Sequence, residues 1–525
     1  MSQKSTLLFI LALAVAVCFA NIGGLDVYAL DEAKNAEAAR EMLESGDFVV
    51  PHFNYELRTD KPPLHYCFMA AGYKLFGVNA FGARFFSSIA GVLTILIVYL
   101  FSLKHLGQKV ASYSALALIC SLHFALQVHM SVPDPYLIFF LTWGFASFYN
   151  AYVSSSKWQL FAFYFAIGCG LLIKGPIALG LSGLTALLFL IFKRDMKWKT
   201  IVRMQPFTGV LLSLFVAFPW YWQVHEQTNG VWTDEFFFKH NLSRFSDPME
   251  GHEGIFLLTF GYVFILGMLT FLPFIFQSVK HAVKLRKKED AILFCLTAAG
   301  VIIIFFAISS TKLPNYTVPS YPMLAIILGF YLAQIDKRWF QNKANMIGLS
   351  LYTLLLLAFP FGIYFGLKAD PAIAELSDLG YYFIVLLAAG TLTLVFIIRK
   401  SINKVLITLM AGWAITTILF FHSIYPNVDA ISPVRKTLPT MNTKAKIISY
   451  KRLNAAFVFA LQKEIKRTDN LDKLGEMVMA QESGYIISRT EHRNELELIP
   501  GVVYHSEARD TFENPTTLIM KWGNP

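Results

Sequence analysis

Apolar and polar positions are segregated along this chain, with long, nearly uncharged apolar runs recurring from the first residues to about residue 424 and short charged stretches between them. Runs of about 17 to 23 residues are long enough to cross a hydrocarbon core of about 30 Å as helices. Most lack the polar stripe that a helix on a water-soluble core carries. The pattern predicts thirteen spans, at residues 6–22, 81–103, 110–128, 135–153, 158–173, 176–192, 206–222, 255–279, 291–309, 318–335, 345–366, 381–398 and 405–424.

Two stretches break the pattern. Residues 24–80 form a charged segment directly after the first span. Within it Ala33, Ala36, Ala39, Met42 and Leu43 recur at helical spacing among charged residues, which predicts a helix lying in the membrane interface. Residues 64–76 read as a second short interfacial helix, begun by Pro62 and Pro63. From residue 425 the composition turns mixed polar, predicting a strand at 445–449, a helix at 455–467, short elements at 476–479 and 485–488, and a final strand at 517–521. The expected fold is therefore a polytopic α-helical membrane protein: a transmembrane domain over residues 1–424, containing the 24–80 loop with its interfacial helices, and a small soluble α/β domain over residues 425–525.

Composition agrees with this class, since 55% of residues are hydrophobic and only 15% charged. The net charge of +10 comes from basic loops: Lys104 and Lys109; Lys193, Arg194, Lys197 and Lys199; Lys280, Lys284, Arg286, Lys287 and Lys288; Lys337 and Arg338; Arg399, Lys400 and Lys404. These are every second loop, so the positive-inside rule makes that face cytoplasmic. The N-terminus is then expected in the cytoplasm, with the 24–80 loop, the loop at 223–254 and the C-terminal domain outside. No basic patch interleaved with exposed aromatics points to nucleic acid. The first apolar run exceeds a usual signal-peptide core and is followed by Asn21-Ile22-Gly23-Gly24, a poor cleavage site. Four of the five cysteines fall in predicted spans, and no pair has metal or disulfide spacing.

The chemistry-bearing residues gather at the outer ends of the spans. Asp31 and Glu32 open the first interfacial helix, where carboxylates also serve as ordinary caps. Asp60 and Lys61 are held by the prolines that follow, and a lysine fixed at headgroup level is a good phosphate ligand as well as a snorkelling side chain. Asp134 lies between two prolines, Lys174 precedes Gly175-Pro176, and Lys312-Leu313-Pro314-Asn315-Tyr316 follows the ninth span. The aromatic run from Phe236 to Phe245 contains Lys239, His240 and Arg244. A proton acceptor, several cations and aromatic surfaces are what transfer from a lipid phosphate requires.

These residues resemble a known family. The run Asp31-Glu32-Ala33-Lys34-Asn35-Ala36-Glu37, then Arg40-Glu41-Met42, Ser45-Gly46-Asp47, Pro51 and Asp60-Lys61-Pro62-Pro63-Leu64 looks like the first external loop of the ArnT-like and protein-mannosyltransferase-like membrane glycosyltransferases, of the C-type glycosyltransferase superfamily. The likeness continues through Lys174-Gly175-Pro176, His240 to Arg244, Glu250-Gly251-His252 and Lys312 to Tyr316. It implies a glycosyltransferase of the bacterial inner membrane using a polyprenyl-phosphate-linked sugar of the undecaprenyl type, with its active site on the external, periplasmic face. The acceptor is a lipid such as lipid A, a glycan or a protein.

Carried over residue by residue, the resemblance matches Asp31 to the first-loop acid, Lys61 to the motif lysine, Asp134 to the acid heading the fourth span, and Tyr316 and Arg244 to phosphate contacts. One departure stands out: many relatives have Asp-Glu-Ala-Arg-Tyr where this chain has Lys34 and Asn35. Chemically, Lys61, Arg244 and Tyr316, with Lys312 near by, would meet the charge developing on the leaving phosphate. Asp31 is the first choice of base and Asp134 the second, with Asp26 and Glu32 as substitutes; a single displacement inverts the anomeric centre. No cofactor is required, but a divalent metal held by Asp60, His240 and His252 stays open, although their spacing matches no zinc signature. The alternative class is a transporter or lipid flippase, which would carry mid-membrane charges and repeated, interrupted helices.

Overall fold

The computed structural model describes residues 2–27, 30–243, 254–371, 373–510 and 516–525. The first apolar run forms α1 (Gln3–Cys18), and the charged segment forms α2 (Leu30–Ser45), a hairpin of β1 (His52–Phe53) and β2 (Glu56–Leu57), and α3 (Leu64–Phe76). Then come α4 (Ala80–Leu106), α5 (Gln108–Ile119), α6 (Leu122–Val128), α7 (Asp134–Ser154), α8 (Lys157–Lys174) and α9 (Ile177–Lys193). Among the described residues, further helices follow to Ala430, most of them around one apolar core.

Among the described residues, 6 helices are long and apolar enough to cross a membrane, or up to 8 if each bent pair counts as one span. The remaining apolar runs are helical too, but α1 and α9 have only 16 and 17 residues, and α7 and α8 are diluted by Tyr, Trp, Asn and Gln. Two expected single spans are bent. The run at 110–128 turns by 67° between α5 and α6, and the run at 255–279 turns by 81° between Phe256–Gly267 and Leu269–Leu285. Broken backbone in an apolar interior must find partners, and the two bends supply them to each other. Ser121 Oγ donates to the Gly267 carbonyl at 2.7 Å, and Thr270 Oγ1 donates to the Cys120 carbonyl at 2.6 Å.

The C-terminal residues build a mixed sheet of β3 (Lys446–Tyr450), β4 (Lys466–Thr468), β5 (Gly484–Arg489), β6 (Val502–Arg509) and β7 (Thr516–Trp522), in the order β4-β3-β5-β7-β6. β3 runs parallel to β4 and β5, while β7 is antiparallel to β5 and β6. The expected helix at 455–467 stops at Leu461, and β4 takes its end.

This sheet changes the reading of α2. Its apolar stripe, expected to face the membrane interface, is covered by protein: Ala33, Ala36, Ala39 and Met42 are at most 1% exposed and share a core with Phe457, Val458 and Ile487. The hairpin adds a polar clamp. Its two turn residues, Asn54 and Tyr55, take positive φ (55° and 62°), a conformation that Asn tolerates. The Asn54 amide donates to the Ile465 carbonyl at 3.0 Å and accepts from the Ile465 N–H at 2.8 Å.

Candidate active site

Asp31, in the first turn of α2, and Asp60 and Lys61, just before α3, face a cavity of about 580 Å³. Asp134 at the start of α7, Lys174 at the end of α8, His240, and Tyr316 line the same space. Its other walls are largely apolar, with Ile177, Gly180, Phe236, Phe237, Phe305 and Phe306. Six separate stretches of chain thus contribute to one chamber that combines charged residues with apolar walls.

Each placement has a local cause. Pro62 and Pro63 fix the backbone ahead of α3, whose first turn closes through Cys67 N–H to the Pro63 carbonyl at 3.0 Å. Asp134 sits in the first turn of α7, where the helix dipole favours a carboxylate. Gly175 ends α8 at φ +78°, and a Cβ there would lie 2.6 Å from the Phe236 ring. Only glycine lets that wall of the cavity close. Phe236 belongs to a wider, i→i+5 turn of helix, Glu235–Ser243, that presents His240 and Asn241 to the chamber.

The charges are paired unequally. Lys174 Nζ bonds Asp134 Oδ1 at 2.6 Å and lies 4.9 Å above the Tyr316 ring. Asp60 lies between Arg58, 2.8 Å from its Oδ1, and Lys61, 3.6 Å from its Oδ2. Burial alone would raise the Asp60 carboxyl, but Arg58, Lys61 and His240 outweigh it and hold the group well below the usual carboxylate range. His240 is pushed down from the ordinary histidine value by burial, with Asp60 opposing that shift and Lys61 adding to it. Thr59 Oγ1 donates to Glu235 at 2.6 Å and stands 3.4 Å from His240, linking the first loop to the wide helical turn. Asp31 is exposed to the cavity and carries no hydrogen bond or ion pair among the described residues.

Three expected residues are used elsewhere. Glu32, one residue from Asp31 but on another face of α2, is 2% exposed and receives two 2.7 Å bonds from Arg84, with the Ser131 N–H at 2.8 Å. Both its oxygens are spent on a buried brace, so it does not serve as a cavity acid. Lys312 turns its ammonium onto the carbonyls of Phe306, Ala307 and Ser309, capping the helix Asp290–Ile308, and does not line the cavity. Asp26 also stays out of the chamber, bound to Arg435 at 2.7 Å. Arg244 and His252 lie outside the described residues, and among the described ones no three His, Cys, Asp or Glu side chains are grouped to hold a metal.

The sequence reading left Lys174 without a role, although Lys-Gly-Pro closing a helix marked the position. It also missed Arg58, Thr59 and Glu235, which contact the motif residues without belonging to the motif. Asn35, at the departing position, is buried and accepts from Arg58 Nη2 at 3.0 Å.

A multi-helix protein with a chamber that gathers Asp31, Asp60, Lys61, Asp134 and Lys174 among apolar walls is the class that fold and site define. Residues 4–233 match the family model of dolichyl-phosphate-mannose-protein mannosyltransferases. An uncharacterized protein of Aquifex aeolicus is 31% identical over 340 residues, covering 65% of this chain and 74% of its own. The undecaprenyl phosphate-alpha-4-amino-4-deoxy-L-arabinose arabinosyl transferase 2 of Pseudomonas fluorescens is 29% identical over 395 residues, 74% of this chain and 70% of its own. The crystal structure of ArnT from Cupriavidus metallidurans bound to undecaprenyl phosphate superimposes with a TM-score of 0.80, at 21% identity and over 99% of both chains. The chain belongs to the ArnT-like membrane glycosyltransferases.

Proposed function

We propose that this protein transfers a sugar from a polyprenyl-phosphate donor, of the undecaprenyl-phosphate type, to a hydroxyl of a lipid A, glycan or protein acceptor at the external face of the bacterial inner membrane. The observation that carries the reading is the meeting of Asp31, Lys61, Asp134, Lys174 and Tyr316 in one chamber whose remaining walls are apolar. The apolar walls suit the polyprenyl chain, and the cations suit its phosphate. Naming undecaprenyl phosphate rests on the relatives that carry it in their names, and the ArnT crystal structure holds it.

Lys61 and the Tyr316 hydroxyl, joined by Arg244, stabilise the phosphate as the bond to the anomeric carbon breaks. Asp31, free of any ion pair among the described residues, takes the proton from the acceptor hydroxyl as it attacks. Asp134, tied to Lys174, positions that lysine and the Tyr316 ring beneath it. One displacement inverts the anomeric centre. In this reading thirteen membrane segments, counting the short and bent ones, place the N-terminus in the cytoplasm, and residues 425–525 form an external domain over the first loop.

The test is sugar transfer from a labelled polyprenyl-phosphate sugar in membranes. Asp31→Asn is expected to lower turnover by about 100-fold or more, the usual contribution of a positioned base. Lys61→Ala should mainly weaken donor use. Undiminished transfer by both folded variants would overturn the reading.

A further inference from the structure

Arg58 is 7% exposed, yet it belongs to none of the sequence motifs. Its backbone is held at both ends: its N–H bonds the Pro51 carbonyl at 2.9 Å, and its carbonyl accepts from Trp232 Nε1 at 2.9 Å. Its guanidinium reaches three places at once. Nε bonds the Tyr66 hydroxyl of α3 at 2.9 Å, and Nη2 bonds Asn35 of α2 at 3.0 Å and Asp60 Oδ2 at 3.0 Å. A planar guanidinium spreads these three contacts over two nitrogens in a fixed fork, where an ammonium would have to gather them all at one.

The Asp60 carboxylate therefore has two cations to choose from, and it lies closer to Arg58 (2.8 Å) than to Lys61 (3.6 Å). Arg58 and Asp60 together form a neutral unit fixed to two helices. Lys61 is left with most of its charge directed at the cavity. Without Arg58 the balance reverses: Asp60 would close on Lys61, cancel its charge and present its own negative charge to an incoming anion.

We propose that Arg58 is a positioning residue that occupies the Asp60 carboxylate and so keeps the Lys61 ammonium available to the anionic phosphate of a lipid donor. This rests on the function proposed above, in which Lys61 meets that phosphate. It also gives Asn35 a purpose at the position where this chain departs from its relatives' first-loop pattern: Asn35 supplies the neutral acceptor that orients the Arg58 fork.

Binding of undecaprenyl phosphate, the sugar-free lipid, to the full-length protein in nanodiscs tests the proposal. Arg58→Gln is expected to weaken binding by about tenfold and to reduce its salt dependence, as loss of one effective cation should. Adding Asp60→Asn to Arg58→Gln should restore affinity to within about threefold of the parent, because the competing charge is gone. Asp60→Asn alone keeps Arg58 in place and should bind at least as tightly as the parent. The proposal is overturned if Arg58→Gln binds normally, if the double variant stays as weak as the single, or if Asp60→Asn alone loses about tenfold. Should Arg58→Gln fail to fold, the Asp60→Asn result decides by itself. A parent protein that does not bind undecaprenyl phosphate would count against the proposed function, not against the role of Arg58 within it.

Discussion

Four consecutive residues at the heart of the site each face a different partner. Arg58 points inward to Asn35 and Tyr66, Thr59 reaches Glu235, Asp60 sits between two cations, and Lys61 faces the cavity. Acid should expose the third of these. Because the folded Asp60 carboxyl is held below its ordinary value, the unfolded chain takes up a proton first as the pH falls. The stabilisation is complete above about pH 3.9 and is lost only as the pH drops further. Melting curves of the parent across that range should therefore fall more steeply than those of Asp60→Asn. The neighbouring pair Asp31 and Glu32 makes a sharper contrast. Glu32→Gln is expected to cost about 3 kcal/mol or more of stability by breaking its buried pair with Arg84, measured as a lowered Tm in detergent. The sequence ranked Asp31 above Glu32 only through the family resemblance, because the helical pattern by itself marked both. Adjacent helical positions point to different faces, and the arginine that claims Glu32 lies 52 residues away.

At the scale of elements, hydropathy located the long apolar helices but not their shape. The run at 110–128 contains no proline or glycine near its bend, so nothing local announces the break. Its cause lies in another run: Thr270 and Ser121 each satisfy a carbonyl exposed by the other's bend. Ser121→Ala and Thr270→Val should each cost about 1–3 kcal/mol by orphaning a buried carbonyl. The double variant should depart from the sum, because both bonds close the same junction. Thermal unfolding of the four proteins in one detergent checks this. In the C-terminal sheet the central strands β3, β5 and β7 were legible from their apolar runs. The edge strands β4 and β6 were not, since exposed or half-exposed polar residues such as Lys466, Arg467, His505 and Glu507 give an edge no apolar signature.

Across the whole molecule, the sequence suggested two domains meeting at residue 425, and the C-terminal part lays its helix Ala455–Leu461 on α2, the helix that carries Asp31. The alanine stripe of α2 was a correct sign of a buried face, but the sequence could not show that the cover is protein from the far end of the chain. Asn54 is the polar part of that contact, and Asn54→Ala should remove both bonds to Ile465. We expect faster amide exchange at Ile465 and into β4, with a stability loss of about 1–3 kcal/mol. Hydrogen exchange followed by mass spectrometry reads both strands of the clamp.

Asn54 and Ile465 are 411 residues apart, which ties the site to the order of synthesis. During translation the first loop emerges early and must wait for the chain through the helix Ala455–Leu461 before its clamp exists. Until about residue 465 has left the ribosome, the nascent chain holds Asp31 and Lys61 without the cover that fixes α2 and the hairpin. A chain that terminates before β4 would lack the partner of Asn54, and with it the finished first loop.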